Sequence, residues 1–193
     1  LLRPFALSIN LVDIPSSRKL HSGSVPLIGG IAMFLGFVVS FLILPVDLND
    51  FNYFILASLI LVCIGVLDDH RDISVLVRLL FQALAAIIIV SGGGLSITSL
   101  GNILGTGEIF LNGWAYFITV IAIIAGINAV NMADGIHGLA GGNSLVTFLA
   151  ILFLSVGKIS NDDLLLIQIF CLVLPIFLIY NLCLGIPESK RVF

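Results

Sequence analysis

Three aspartates fall within five residues, Asp68, Asp69 and Asp72, in the stretch "CIGVLDDHRDISVLVRLL", with an apolar run on either side. Adjacent carboxylates repel, so such a pair needs a cation nearby. Hard carboxylate oxygens suit Mg²⁺, an ion that takes one or two carboxylates, keeps waters and shares the phosphates of a substrate. The structural alternative is a hydrated loop in which an aspartate caps the next helix. A second stretch, "GINAVNMADGIHGLAGG", repeats polar groups every three residues at Asn128, Asn131 and Asp134. That spacing places them along one side of a helix. Its glycines Gly135, Gly138, Gly141 and Gly142 allow close approach of backbone; small-residue packing between helices is the competing explanation. A third stretch, "DIPSSRKLHSGSVPLIGG", sets Arg18, Lys19 and His21 between Pro15 and the Pro26–Gly29–Gly30 entry to an apolar run. It reads as a shaped anion-binding loop, against the plainer reading that its cations only set topology.

The elements that carry these groups are membrane spans. Of the 193 residues 60% are hydrophobic and only 10% charged, against roughly a quarter charged in soluble domains. A bilayer span needs about 20 apolar residues. Six runs come close, at roughly 24–45, 51–67, 75–91, 114–131, 138–157 and 164–183. The expected fold is therefore all-α, a polytopic transmembrane helical bundle forming a single integral-membrane domain. A small external hairpin is expected near residues 95–112, followed by Trp114 and Tyr116 at an interface depth. Pro26 is expected at a helix start, and Pro175 is expected to kink the last span.

Alternating the six spans places residues 1–23, 68–74, 132–137 and 184–193 on one side. That side holds Arg3, Arg18, Lys19, Arg71, Lys190 and Arg191, with Arg78 one turn into the neighbouring span; the other side holds Lys158. The cationic face is cytoplasmic by the positive-inside rule, and all three clusters lie on it. Asp47, Asp50, Glu108, Asp162 and Asp163 fall on the other side and read as solvated loop charges. The net charge of −3 argues against nucleic acid as a partner. Cys63, Cys171 and Cys183 have no paired spacing and read as small buried hydrophobes.

Taken in order, "DIPSSRKLHSGSVPLIGG", "GVLDDHRDISVLVRLLFQ" and "NAVNMADGIHGLAGG" resemble the motifs of the polyprenyl-phosphate N-acetylhexosamine-1-phosphate transferases, over essentially the whole chain. The likeness is closest to the bacterial type that makes undecaprenyl-diphosphate-linked N-acetylglucosamine. This resemblance implies a UDP-N-acetylhexosamine and undecaprenyl phosphate as substrates, UMP as the leaving product, and Mg²⁺ as cofactor, with Mn²⁺ as the alternative ion. It also implies a multi-pass protein of the bacterial inner membrane with a cytoplasmic site, at the first membrane step of cell-envelope polysaccharide synthesis; a homodimer is compatible with it. By the same resemblance Asp68 and Asp69 match paired aspartates implicated in catalysis. Asp69, Asn131 and Asp134 are metal candidates. Lys19, His21, Asp72, Asn128, Asn131, Gly135 and His137 are substrate-binding candidates. Which aspartate acts as base stays open.

The chain departs from the family pattern in two places. His137 stands where the family has an acid; either contacts to the nucleotide base differ, or His137 is a packed or capping residue. "YNLCLGIPESKRVF" resembles the approach to a further motif, Leu-Gly-Asp-x-Gly-Ser, which lies beyond Phe193 if it is present. The chain thus reads as truncated at both ends, and an inactive remnant of the transferase is one alternative reading. An ion-coupled transporter fragment is another, disfavoured because such proteins place acids near the midplane whereas these sit at span ends. A non-catalytic scaffold explains the apolar composition but not three clusters on one face.

Overall fold

The computed structural model describes residues 4, 11–13, 25–44, 48–135 and 138–185, the backbone alone at 13, 25 and 48–50. Among the described residues six apolar helices follow one another: α1 (Gly29–Ile43), α2 (Leu48–Arg71), α3 (Val75–Gly92), α4 (Ala115–Ala133), α5 (Leu139–Ser155) and α6 (Asn161–Asn181). Four of the six helical segments are long and apolar enough to cross a membrane; α1 and α5, at 15 and 17 residues, are shorter. At 1.5 Å per residue α1 spans about 22 Å, short of a hydrocarbon core of roughly 30 Å. The helix surfaces confirm the environment read from composition. Phe153, Leu172, Val146 and Ile121 are each more than 60% exposed, a surface that suits lipid and not water. The chain is a multi-pass membrane protein.

Sequential helices run antiparallel, and named contacts show it. Gly92 at the end of α3 lies against Tyr53 near the start of α2. Asn128 of α4 bonds Gln82 of α3, while at the far end of the pair Tyr116 Oη lies 2.9 Å from Ser91 Oγ. Gly141 near the start of α5 meets Phe177 and Leu178 near the end of α6. Helices α1, α2 and α6 close around an aromatic core of Phe37, Phe41, Phe51 and Ile169, with Phe54 and Phe170 packed on it. Phe170 also stacks on Phe148 of α5, centroids 4.6 Å apart.

The expected hairpin is present as a short bridged ladder. Ser99 and Phe110 pair antiparallel, with Leu111 N–H donating to Thr98 and Leu100 N–H to Ile109. Thr119 Oγ1 of α4 accepts from Ile97 N–H at 2.8 Å and so pins the hairpin to the bundle. A 3₁₀ turn at Asn112–Trp114 leads into α4, and Trp114 is 70% exposed.

Three expectations need correction. Pro26 does not start a helix: it lies in strand β2 (Val25–Pro26), paired antiparallel with β1 (Val12–Asp13), and α1 begins three residues later. Pro lacks the N–H a ladder needs, which an edge strand tolerates; beside it Leu27 N–H donates to Leu11 O. Asp162 and Asp163 are not loop charges. They occupy the first turn of α6, where Ser160 caps Asp163 N–H and negative charge opposes the helix dipole. The cysteines are free but not buried: Cys63 is exposed, and Cys171 and Cys183 are half-buried, because so slender a bundle leaves most of each helix facing outward. Pro175 lies inside α6, which continues past it to Asn181.

Candidate functional site

Helix α2 runs through the paired aspartates and ends at Arg71, so Asp68 and Asp69 are in its last turn and not in a loop. Asp72 follows in the left-handed region, φ 51°, its N–H bonded to Asp68 O. It closes the helix and does not continue the Asp68 face. The capping explanation for these acids fails, since Ser74 caps α3 by accepting from Val77 N–H. Three carboxylates thus stand at the C-terminal end of a helix, the end where negative charge is disfavoured by about 0.3–1 kcal/mol each. Folding alone would not select that placement.

A cation is built in beside them. Arg78, in the first turn of α3, donates from Nη1 to Asp68 Oδ2 at 2.8 Å, with the side chains 34% and 22% exposed. One turn along the same face of α3 sits Gln82, buried at 7% exposure, whose Oε1 accepts from Asn128 Nδ2 at 2.6 Å. Residues four apart on a helix share a face and lie about 6 Å apart along its axis. One side of α3 therefore joins the end of α2, through Arg78, to the amide-bearing end of α4, through Gln82. On α4, Asn131 lies about 4.5 Å and Asp134 about 9 Å from Asn128 toward the same end of the bundle. Both are exposed, and Asp134 forms the C-cap, its N–H reaching Asn131 O and Val130 O.

Lys19 and His21 of the third cluster lie outside the described residues, as does His137. Beside the β1–β2 pair, buried Leu11 and Ile28 pack with Leu27, Ile31 and Val66. Val66 is two residues before Asp68, so the β1–β2 pair sits near the carboxylate end of α2.

The glycines divide. Gly138 has φ 75° and a Cβ there would meet Leu182, and one at Gly141 would meet Leu178 at 2.9 Å. Those two serve α5–α6 packing. Gly142 has open space, and Gly135 meets nothing nearer than Met132 O at 4.0 Å, so packing does not account for either. Gly138→Ala is expected to lower the melting temperature of the detergent-solubilised protein by about 3–6 °C, from roughly 1–2 kcal/mol of backbone strain and crowding. Gly142→Ala should cost nothing. Equal shifts at the two positions would refute the division.

Arg78 and Gln82 are the residues that reading the sequence missed, the first counted only for topology. The signal was available: they are the two polar residues in the first fifteen of α3, spaced by four, and an intramembrane polar group is a functional candidate by default. Among the described residues no three His, Cys, Asp or Glu side chains group as a metal cage. The donors at this end, carboxylates and amide oxygens, are hard and fit an ion such as Mg²⁺ that relies on one or two carboxylates and on substrate phosphates. A cavity of about 410 Å³ opens at the opposite end, lined by Phe51, Tyr53, Gly92, Ser160 and Asp162 among others. None of the three clusters contributes to it, so it is no part of this site.

The Glycosyl transferase family 4 profile matches residues 51–186, the stretch that contains α3 to α6, all but the first three residues of α2, and both polar pairs just described. The chain belongs to glycosyl transferase family 4. Its relatives include the undecaprenyl-phosphate alpha-N-acetylglucosaminyl 1-phosphate transferase of Yersinia pestis, 42% identical over 82% of this chain and 44% of the relative. The protein of the same name from Escherichia coli strain K12 is 43% identical over 77% of this chain and 41% of the relative. That from Haemophilus influenzae is 40% identical over 98% of this chain and 53% of the relative. The chain thus spans about half the length, or less, of the curated relatives it matches. Within this family 4 chain the matched segment holds both the Asp68–Arg78 pair and the Gln82–Asn128 pair, whereas the β1–β2 clasp precedes it.

Proposed function

We propose that this chain forms part of an enzyme that transfers N-acetylhexosamine-1-phosphate, most simply N-acetylglucosamine-1-phosphate, from a UDP-sugar to undecaprenyl phosphate. The observation that carries the reading is the polar face of α3, where Arg78 and Gln82 tie the aspartates of α2 to the amide row of α4 at one end of a membrane bundle. The names of the relatives supply the acceptor and the sugar.

The reaction joins two anions. An oxygen of the lipid phosphate attacks the sugar-bearing phosphorus of the UDP-sugar, the bond to the other phosphate breaks, and UMP leaves. The lipid phosphate needs little activation, so alignment and charge neutralisation carry the rate. Asp69 and Asp134, with Asn131 beside them, would hold Mg²⁺, which when bound would neutralise charge on the diphosphate. Arg78 holds the Asp68 carboxylate in place. Lys19 and His21, from the third cluster, are assigned to the nucleotide, and Asp72, Asn128, Gly135 and His137 complete the set of substrate-binding candidates. Because α2 ends at the bilayer edge, the acids meet lipid phosphate at headgroup depth. Arg71 and Arg78 lie at this end and Lys158 at the other, which favours a site on the cytoplasmic face of a bacterial inner membrane. A homodimer is compatible with the reading and is checked by the mass of the solubilised particle.

The test uses the full-length protein in membranes with labelled UDP-N-acetylglucosamine, undecaprenyl phosphate and Mg²⁺. Label is expected in the lipid extract together with released UMP. Chelation with EDTA is expected to bring transfer to background, and Mg²⁺ or Mn²⁺ to restore it. Label that stays water-soluble in every condition, or full turnover in EDTA, contradicts the proposal in its substrates or its cofactor respectively.

A further inference from the structure

Both amide hydrogens of Asn128 are engaged inside the protein. Nδ2 donates to Gln82 Oε1 at 2.6 Å and to the backbone oxygen of Ile124 at 2.8 Å. A backbone carbonyl can only accept, so the Ile124 bond decides which end of the Asn128 amide is nitrogen. That nitrogen in turn decides that Gln82 presents oxygen to it. The group Asn128 has left to offer a ligand is Oδ1, an acceptor. Gln82 is buried in an otherwise apolar helix, where a carboxamide is costly unless it is bonded, and where an aliphatic residue would pack without that cost.

We propose that Gln82 is a positioning residue that holds Asn128 so that it meets the nucleotide sugar only as a hydrogen-bond acceptor, through Oδ1. At that point the site therefore selects an N–H or O–H group of the ligand. Asn128 is half-buried beside Gln82, and a freely rotating carboxamide there could turn its amine outward as readily as its oxygen. With both hydrogens held, rotation would break two bonds at once. The proposal rests on the transferase reading above and deepens it.

A double-mutant cycle in the full-length protein tests this, with UDP-N-acetylglucosamine as the varied substrate. Gln82→Met keeps length and removes the acceptor. It is expected to raise KM for the nucleotide sugar about five- to tenfold, with kcat within about threefold of wild type. Asn128→Ala is expected to raise KM at least as much. The double variant should be no worse than Asn128→Ala alone, since Gln82 acts through Asn128. Gln82→Glu, which still turns an oxygen toward Nδ2, should return KM to within about twofold. Additive effects overturn the proposal. So does a Gln82→Met protein whose KM is unchanged and whose folded yield alone is lower, the signature of a purely structural pair. Calorimetric binding of UDP-N-acetylglucosamine to the solubilised proteins separates the two claims. A wild type that binds and transfers while the cycle is additive overturns the role of Gln82 alone; a wild type that neither binds nor transfers overturns both.

Discussion

Asp69→Asn in the full-length protein is expected to lower transfer of sugar phosphate to undecaprenyl phosphate by about 10²–10⁴-fold while the protein remains inserted and folded. Asp69 is exposed in the last turn of α2, so the substitution removes no core packing, and Asn keeps the shape. The change should even ease folding slightly. One negative charge leaves a helix C-terminus, where it is unfavourable, and the repulsion from Asp68 is relieved. What is lost is the full charge that holds a cation or accepts a proton, and such terms are commonly worth about 10²–10⁴ in rate. Glu108→Gln is the control, an exposed acid on the hairpin at the other end of the bundle, and should be silent. The assay follows label from UDP-N-acetylglucosamine into lipid, with the melting temperature measured beside it. Near-normal turnover by Asp69→Asn, or an equal loss from Glu108→Gln, would remove the paired aspartates from the mechanism.

Arg78→Gln is expected to cost less, about 10–10²-fold in turnover, together with roughly 1 kcal/mol of stability. The guanidinium bonds Asp68 at 2.8 Å. Without it Asp68 faces both Asp69 and the carbonyl end of its own helix, two sources of like potential. The pair is about a third to a fifth exposed, so solvent screening keeps the stability term near the modest values of surface ion pairs. The activity term is larger because a carboxylate displaced by about 1 Å can cost 10²-fold where alignment carries the rate. Arg78→Lys keeps the charge but loses the planar fork and should fall between. A fully active Arg78→Gln protein, at normal melting temperature, would show that the ion pair only decorates the end of the bundle.

Much of this was legible in the residues themselves. Apolar runs of span length dictate helices because a bilayer leaves no water to satisfy backbone groups, and all six expected runs are helical. The Asn128–Asn131–Asp134 spacing placed those groups on one helix, and that helix ends at the last of them. The cation count assigned Arg71 and Arg78 to one end and Lys158 to the other, and the helices place them so. The boundaries were less legible. The apolar run of α2 stops at Leu67, because charges normally mark a span's edge; the helix continues to Arg71 since its backbone bonds are indifferent to side-chain polarity, and Asp72 stops it by turning left-handed.

Tertiary structure alone decided three things. The α3 face joins two motifs 60 residues apart in sequence, Asp68 through Arg78 and Asn128 through Gln82, and no local pattern could pair them because the register between antiparallel helices depends on how their side chains interdigitate. The glycines after Asp134 look alike as residues, yet Gly138 and Gly141 are required by Leu182, which caps α6, and by Leu178 within it, while Gly142 is not. And the β1–β2 pair is held near the carboxylate end by the packing of Leu11 and Ile28 with Val66, contacts among apolar side chains that carry no chemical signature of their own. Residue types and spacing thus determine which groups are present and at which end of the bundle they lie; only packing between helices determines which of them touch, because that free energy belongs to pairs of surfaces and not to either sequence segment by itself.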